Sequence, residues 1–274
     1  MTARRIAAAL AIVTLAATSA CTSSGAGKNG KSASTAGKGN GIPVSKAPTG
    51  TPVDPATISA RLKAGVASIR SAHVEVVIDA AGQKINVSGD EKLQGGQVQS
   101  VQVSSRSIAG SAPVQIIVVG GRTYAKLPKS VNKTGKPFVL VTKQSKNSTI
   151  RQLAASIDFS LGSVSLDRSA ALVDAAKSAS LIGKATISGT PTTRYSVTVT
   201  TQKLADDFPG KALLISAGLT TLPVDLYLDS AGRPVQISQA VKLGGRAVSV
   251  KISASKYNQP ITIAAPPASQ VGTA

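Results

Sequence analysis

The residues that could do chemistry in this chain are few and poorly spaced for it. There is one histidine, His73, so a Ser-His-Asp set would have to use it, and no G-x-S-x-G elbow accompanies it. Two Ser-x-x-Lys matches, SVNK at 130–133 and SASK at 253–256, occur with a KTG at 133–135. Penicillin-binding enzymes keep these motifs far apart in sequence and unite them in the fold, whereas here Lys133 belongs to both SVNK and KTG. Chance in a Ser- and Lys-rich chain accounts for them. The adjacent carboxylates Asp90-Glu91 and Asp206-Asp207 lack metal-ligand spacing. The segment GAGKNGKS at 25–32 matches the phosphate-binding pattern G-x-x-x-x-G-K-[ST] letter for letter. A phosphate loop needs a strand before it and a helix after it, so that backbone N–H groups converge on the phosphates. Residues 22 to 54 are instead almost wholly Ser, Gly, Ala, Thr, Lys, Pro and Asn, too poor in apolar surface to offset the entropy of ordering. GAGKNGKS therefore reads as tether, and neither an enzyme nor a cofactor is expected.

The segment before the tether reads as an export signal. Arg4 and Arg5 precede a run from Ile6 to Ala17 that is apolar except for Thr14. A bilayer span needs about 20 apolar residues, so this shorter run fits the h-region of a signal peptide instead. It ends in LAATSAC at Cys21, the single cysteine of the chain. A lone cysteine forms no internal disulfide, and at this place it is positioned to become a lipidated N-terminus after cleavage. The alternative is a cut at a nearby A-x-A-like site that leaves a free thiol. The expected organisation is a lipoprotein signal peptide (1–20), lipidated Cys21 with a disordered tether (21–55), and one folded domain (56–274). The tether would reach about 30 Å. Its lysines Lys28, Lys31, Lys38 and Lys46 add roughly 1 kcal/mol each near anionic headgroups, or else only keep it soluble.

The chain carries 31 Lys and Arg against 12 Asp and Glu, a net charge of +19. Residues 1–54 hold six of the basic and one of the acidic residues, which leaves the domain at +14. Such a field favours acidic partners. The basic residues are scattered singly, without clustered Arg or interleaved aromatics to stack bases. Anionic lipid or envelope polymer is the expected counterpart, not nucleic acid.

These features must sit on the elements that follow. Asp54 is placed to cap a helix with Pro55 at its first position, and Ile58, Leu62, Val66 and Ile69 form one apolar stripe. Alternating patterns then predict strands at 73–80, 83–93, 97–107, 113–127 and 136–143. In the fourth, Val114, Ile116 and Val118 face one way and Ile117 and Val119 the other, so both faces must be covered. One cover is a helix; the other is a second protein layer or a cavity for an apolar ligand. Helical patterns at 148–158 and 167–183 precede strands at 184–190 and 193–201, a helical stretch broken at Pro209-Gly210, and three final strands. The fold class expected is α+β: one strongly curved antiparallel sheet of about ten strands, with helices over its concave face.

The stretch around Tyr124, GGRTYAKL, and the ending LPVDLYLDSAGRPVQI…SASKYNQPITIAAP, together with the lipobox-like signal and the opening helix, resemble the actinobacterial LppX/LprA/LprF/LprG lipoproteins. The resemblance covers most of residues 56–267. It implies a LolA-like half-barrel closed by helices, a cell-membrane location outside the cytoplasm, and an apolar pocket for acyl lipid or lipoglycan. A lipid-anchored monomer is expected. Strand phase supplies candidate lining residues: Val74, Val76, Ile78, Ile116, Val118, Val139, Val197, Val199, Leu226 and Leu228. For each, ordinary core packing is the competing explanation. A second possibility for the whole protein is a non-catalytic envelope sensor or interaction module with a filled pocket.

Overall fold

The structure is a computed structural model that describes residues 50–273 except 81–82, 107–112, 130, 149, 155–156, 158–164, 207, 209 and 244. Cys21, the signal peptide and the tether up to residue 49 lie outside the described residues.

The domain is one open, curved, almost wholly antiparallel sheet of thirteen strands with few helices. Helix α1 (Pro55–Ala67) starts where the sequence requires: the Asp54 side chain accepts from the Ala56 N–H at 2.9 Å, with Pro55 in the first turn. Strand β1 (Thr51–Val53) precedes it, and β2 (Ser71–Ala80), β3 (Gln83–Gln94), β4 (Gln97–Arg106), β5 (Val114–Val119), β6 (Arg122–Lys126) and β7 (Phe138–Val141) follow. Residues 150–154 are helical. Then come α2 (Ser169–Asp174), β8 (Ala176–Ile187), β9 (Thr190–Thr200), α3 (Lys211–Ser216), β10 (Thr221–Leu228), β11 (Pro234–Leu243), β12 (Arg246–Ser255) and β13 (Val271–Gly272). The spatial order is β1-β8-β9-β10-β11-β12-β2-β3-β4-β5-β6-β7-β13. The chain thus lays β2 to β7 outward, crosses to the far edge at β8, and works back until β12 pairs with β2.

Three strands exceed the expected ten, each for a physical reason. The run 113–127 is two strands, because Gly120 and Gly121 (φ 57° and 69°) make a two-residue reversal that only residues tolerant of positive φ accept readily. The two others come from the chain ends. Strand β1 falls inside the stretch read as tether and pairs with β8, while β13 pairs in parallel with β7. Each covers part of a sheet edge that would otherwise offer unpaired backbone groups.

The helical pattern at 167–183 is also corrected. Helix α2 stops at Asp174, and residues 176–183 join the expected strand 184–190 as one long β8. Its Ala, Lys and Leu residues favour helix locally, but pairing Ala179 with Val197 and Leu181 with Tyr195 buries Ala179 in the core, and tertiary pairing outweighs a propensity of a few tenths of a kcal/mol per residue.

Strand β5 is covered on both faces. Ile116 packs with Val103, Ala125, Val139, Ile150 and Leu153. Ile117 packs with Tyr124 and Ile263 on the opposite face. The second cover is therefore the C-terminal segment after β12. Asn258 ties its start to the sheet, donating its N–H to the Ser71 carbonyl at 2.8 Å and accepting from the Arg70 N–H at 2.6 Å.

Helix α1 sits close on the β10–β11 turn. A Cβ at Gly65 would lie 2.2 Å from the Gly232 carbonyl oxygen, and one at Gly232 would lie 2.5 Å from the Arg61 carbonyl oxygen. Both obstacles are backbone, so a side chain forces the helix off the sheet. Gly65→Ala is expected to destabilise the domain by about 1–3 kcal/mol, despite the higher helix propensity of Ala, and chemical denaturation measures it.

Candidate functional site

The register builds rows of side chains across the helix-bearing face. One row runs Tyr195, Leu226, Ile237, Ile252, Val76 and Val87 over six adjacent strands. Another runs Ala254, Val74, Gly89, Val103, Ile116, Ala125 and Val139. Successive strands lie about 4.8 Å apart, so the aliphatic surface is continuous from β9 to β7. All ten residues proposed from strand phase fall on this face. Val74, Val76, Val197, Val199, Leu226 and Leu228 are buried in the larger cluster beneath α1, with Ile78 packed against it. Ile116 and Val139 are buried in the smaller cluster beneath the helical residues 150–154, with Val118 at its margin.

A recess opens between this face and its cover, lined by Ser165, Leu166, Arg168, Ser169, Leu172, Phe208, Ile237 and Ile252. Its volume of about 20 Å³ is room for roughly one water molecule. None of the ten proposed residues lines it. Ile237 and Ile252 were legible, because they share the row and the strand phase of Leu226 and Val76. Leu166 and Phe208 come from connections, where no periodicity marks them, and Leu172 comes from the short α2.

Polar contacts hold the cover. Asp174, at the end of α2, takes Lys63 of α1 at 2.9 Å and the Ser59 hydroxyl at 2.5 Å. Arg61 of α1 donates to Tyr195 Oη at 3.2 Å and to the Asp229 carbonyl at 3.0 Å. Below it Arg233 pairs with Asp229 at 2.7 Å and lies 4.7 Å above the Tyr257 ring. Tyr257 donates its hydroxyl to the Pro234 carbonyl. Burial, with the negative charge of Asp229, pushes this phenol far above its usual range, so it is a hydrogen-bond donor and not a base.

The histidine and the Ser-x-x-Lys motifs stand elsewhere. His73 Nδ1 lies 2.7 Å from Asp90 Oδ1 and its Nε2 lies 3.8 Å from Glu75 Oε1. Strand alternation puts all three on the face away from the helices, and the imidazole is held between carboxylates there. Ser253 of SASK projects from that same face, paired across from Glu75. Among the described residues no group of three or more His, Cys, Asp or Glu is placed to hold a metal ion.

This architecture occurs in solved structures. The crystal structure of LprF from Mycobacterium bovis aligns with a TM-score of 0.50 at 15% identity, over 79% of this chain and 99% of that one. The chain has the LprF fold. The lipoprotein LppX of Mycobacterium tuberculosis aligns at 16% identity over 77% and 100% of the two chains, with a TM-score of 0.49. A LolA-superfamily protein from Nitrosomonas europaea aligns at 9% identity over 76% and 96%, with a TM-score of 0.29. No protein-family model and no curated protein matches the sequence. At such identities the likeness to LprF is one of fold, an open curved sheet.

Titration of Asp174 reports on the cover. Burial pushes its carboxyl up, but the Ser59 hydroxyl and the Lys63 ammonium outweigh this and hold it below 3.8. A depressed carboxylate stabilises the folded state above its unfolded pKa and ceases to do so as pH falls through its folded value. The stability gap between the wild type and Asp174→Asn is therefore expected at neutral pH and should close below pH 3.8. Urea denaturation across pH checks this.

Proposed function

We propose that the protein is an extracytoplasmic, membrane-anchored lipoprotein that binds an acyl lipid or lipoglycan between its curved sheet and the helical cover, and carries or presents it. The reading is non-enzymatic, and the protein acts as a monomer without a cofactor. The observation that carries it is the unbroken aliphatic row from Leu226 through Ile237 and Ile252 to Val76, with an apolar recess at its middle. Such a lining suffices for a hydrocarbon tail, since burial is worth about 0.8 kcal/mol per CH₂. A tail of some sixteen carbons gains on the order of 10 kcal/mol before the costs of ordering. At about 20 Å³ the recess takes no tail as it stands, so binding requires the cover to lift. One of its elements, α3, is six residues long and buries none of them. An element with so few buried contacts opens at little cost. The architecture shared with LprF supports the reading.

One observation favours a second reading. Val76, Val139, Val197, Val199, Leu226 and Leu228 are packed almost completely out of solvent, as in an interior filled by its own side chains. The protein would then be an envelope sensor or interaction module.

Mass spectrometry of an organic extract of the purified protein separates the two. Acyl lipid at near-equal molar amount is expected for the wild type, with at least a tenfold loss in Ile237→Trp, which fills the recess; absence of lipid from the wild type sinks the carrier reading. For the anchor, Cys21→Ala is expected to move the protein from the detergent phase to the aqueous phase in phase partitioning.

A further inference from the structure

One end of the sheet differs from the other in a way that cargo binding does not require. Register places the ends of β2, β9 and β11 and the starts of β3, β10 and β12 together there, through the pairs Ala80↔Gln83, Thr200↔Thr221 and Leu243↔Arg246. Helix α3, in the β9–β10 connection, projects from this end. Its sequence is KALLIS, yet no residue in it is buried, and Ile215 is 43% exposed, the exposed large hydrophobic among the described residues. Leu214 packs its inner side on the main core, while Leu213 and Leu219 are half-exposed. The result is an aliphatic tip in water. Phe208, just before it, lines the recess.

The rim around this tip is basic. Lys177 at the start of β8, Lys203 after β9, Lys242 at the end of β11, Arg246 at the start of β12 and Lys84 at the start of β3 are all exposed, on strands that are neighbours in the sheet. Against them, among the described residues, stand Asp79 in β2, Asp174 just before β8, which is held by Lys63 at 2.9 Å, and Asp206, which is held by Lys211 at 2.8 Å. At the opposite end Arg70, Arg122 and Lys256 are also exposed, but no exposed large hydrophobic among the described residues accompanies them, Arg233 is met by Asp229, and Arg61 donates to backbone carbonyls.

An apolar tip ringed by separate lysines matches the boundary of a bilayer. Aliphatic side chains enter the acyl region, and Lys and Arg remain among anionic headgroups. Single, dispersed cations without stacking aromatics suit that layered surface and not a nucleic acid. We propose that the α3 end of the domain is a docking surface for an anionic lipid bilayer, acting in addition to any anchor at Cys21. The domain would then stand on the membrane by this end, with the recess-lining Phe208 beside the lipid surface. The inference rests on the exposed surface alone and holds whether or not the interior takes cargo.

The test uses the processed chain, residues 21–274 carrying Cys21→Ser, which has neither the apolar signal segment nor a thiol to acylate, sedimented with phosphatidylcholine vesicles with and without phosphatidylglycerol. Two triple variants carry the same change of net charge: Lys203→Glu/Lys242→Glu/Arg246→Glu at the α3 end, and Arg70→Glu/Arg122→Glu/Lys256→Glu at the opposite end. At about fivefold in partitioning for each basic residue lost, the first should bind phosphatidylglycerol vesicles about a hundredfold more weakly than the parent. The second should stay within a few-fold of it. Leu213→Ser/Ile215→Ser should remove the binding that survives high salt. Unaltered thermal melts confirm that each variant folds. Equal losses in the two triples, or none in the first, overturn the proposal. So does a concentration-dependent dimer that Leu213→Ser/Ile215→Ser abolishes, which would assign the tip to a second copy. Because vesicle binding is read separately from extracted lipid, failure of the docking surface and failure of the carrier reading give different results.

Discussion

Eight residue pairs, from Val248↔Ala80 to Ser255↔His73, join β12 to β2, and the rest of the architecture depends on that ladder. It is the seam between a block laid down as β2 to β7 and a block laid down as β8 to β12. Without it each half would end in a long edge with unpaired backbone groups, and the aliphatic rows would stop at Ile252 on one side and Val76 on the other. With it, one surface runs across the whole sheet, and α1 can seal residues from both halves: Ile58, Leu62 and Val66 share a cluster with Val74 and Val76 from one block and Val197 and Leu226 from the other.

The same seam explains why the polar contacts concentrate where they do. Helix α1 spans from Asp174, through Lys63 and Ser59, to the β10–β11 turn, through Arg61. At Gly65 and Gly232 the two backbones come so close that neither position leaves space for a side chain. The cover is thus fixed firmly at the turn end and lightly towards α3, which buries nothing. The apolar tip, the basic rim and Phe208 of the recess all belong to that loosely held side.

Much of the fold was legible in the sequence because it rests on local rules. The Asp54-Pro55 start of α1 follows from capping chemistry, and the strand phases of β2, β9 and β10 follow from alternation. All ten proposed residues share a face for the same reason, since side-chain direction in a strand has a period of two. Other features were legible but carried a competing signal. Gly120-Gly121 marks a hairpin, yet the apolar residues around it read as one strand. Ala176 to Gly183 reads as helix until β9 supplies its partner.

What the sequence alone determined is the phase of each strand, the start of the first helix, the absence of spaced catalytic sets, and the basic charge, because each depends on neighbours a few residues apart. Only the tertiary structure decided that β12 meets β2, that the C-terminal segment crosses Ile117 and Tyr124 to cover the second face, and that Leu166, Phe208, Ile237 and Ile252 enclose one recess. Those contacts join residues far apart in the chain, and their energy comes from burying surfaces whose partner no local pattern names.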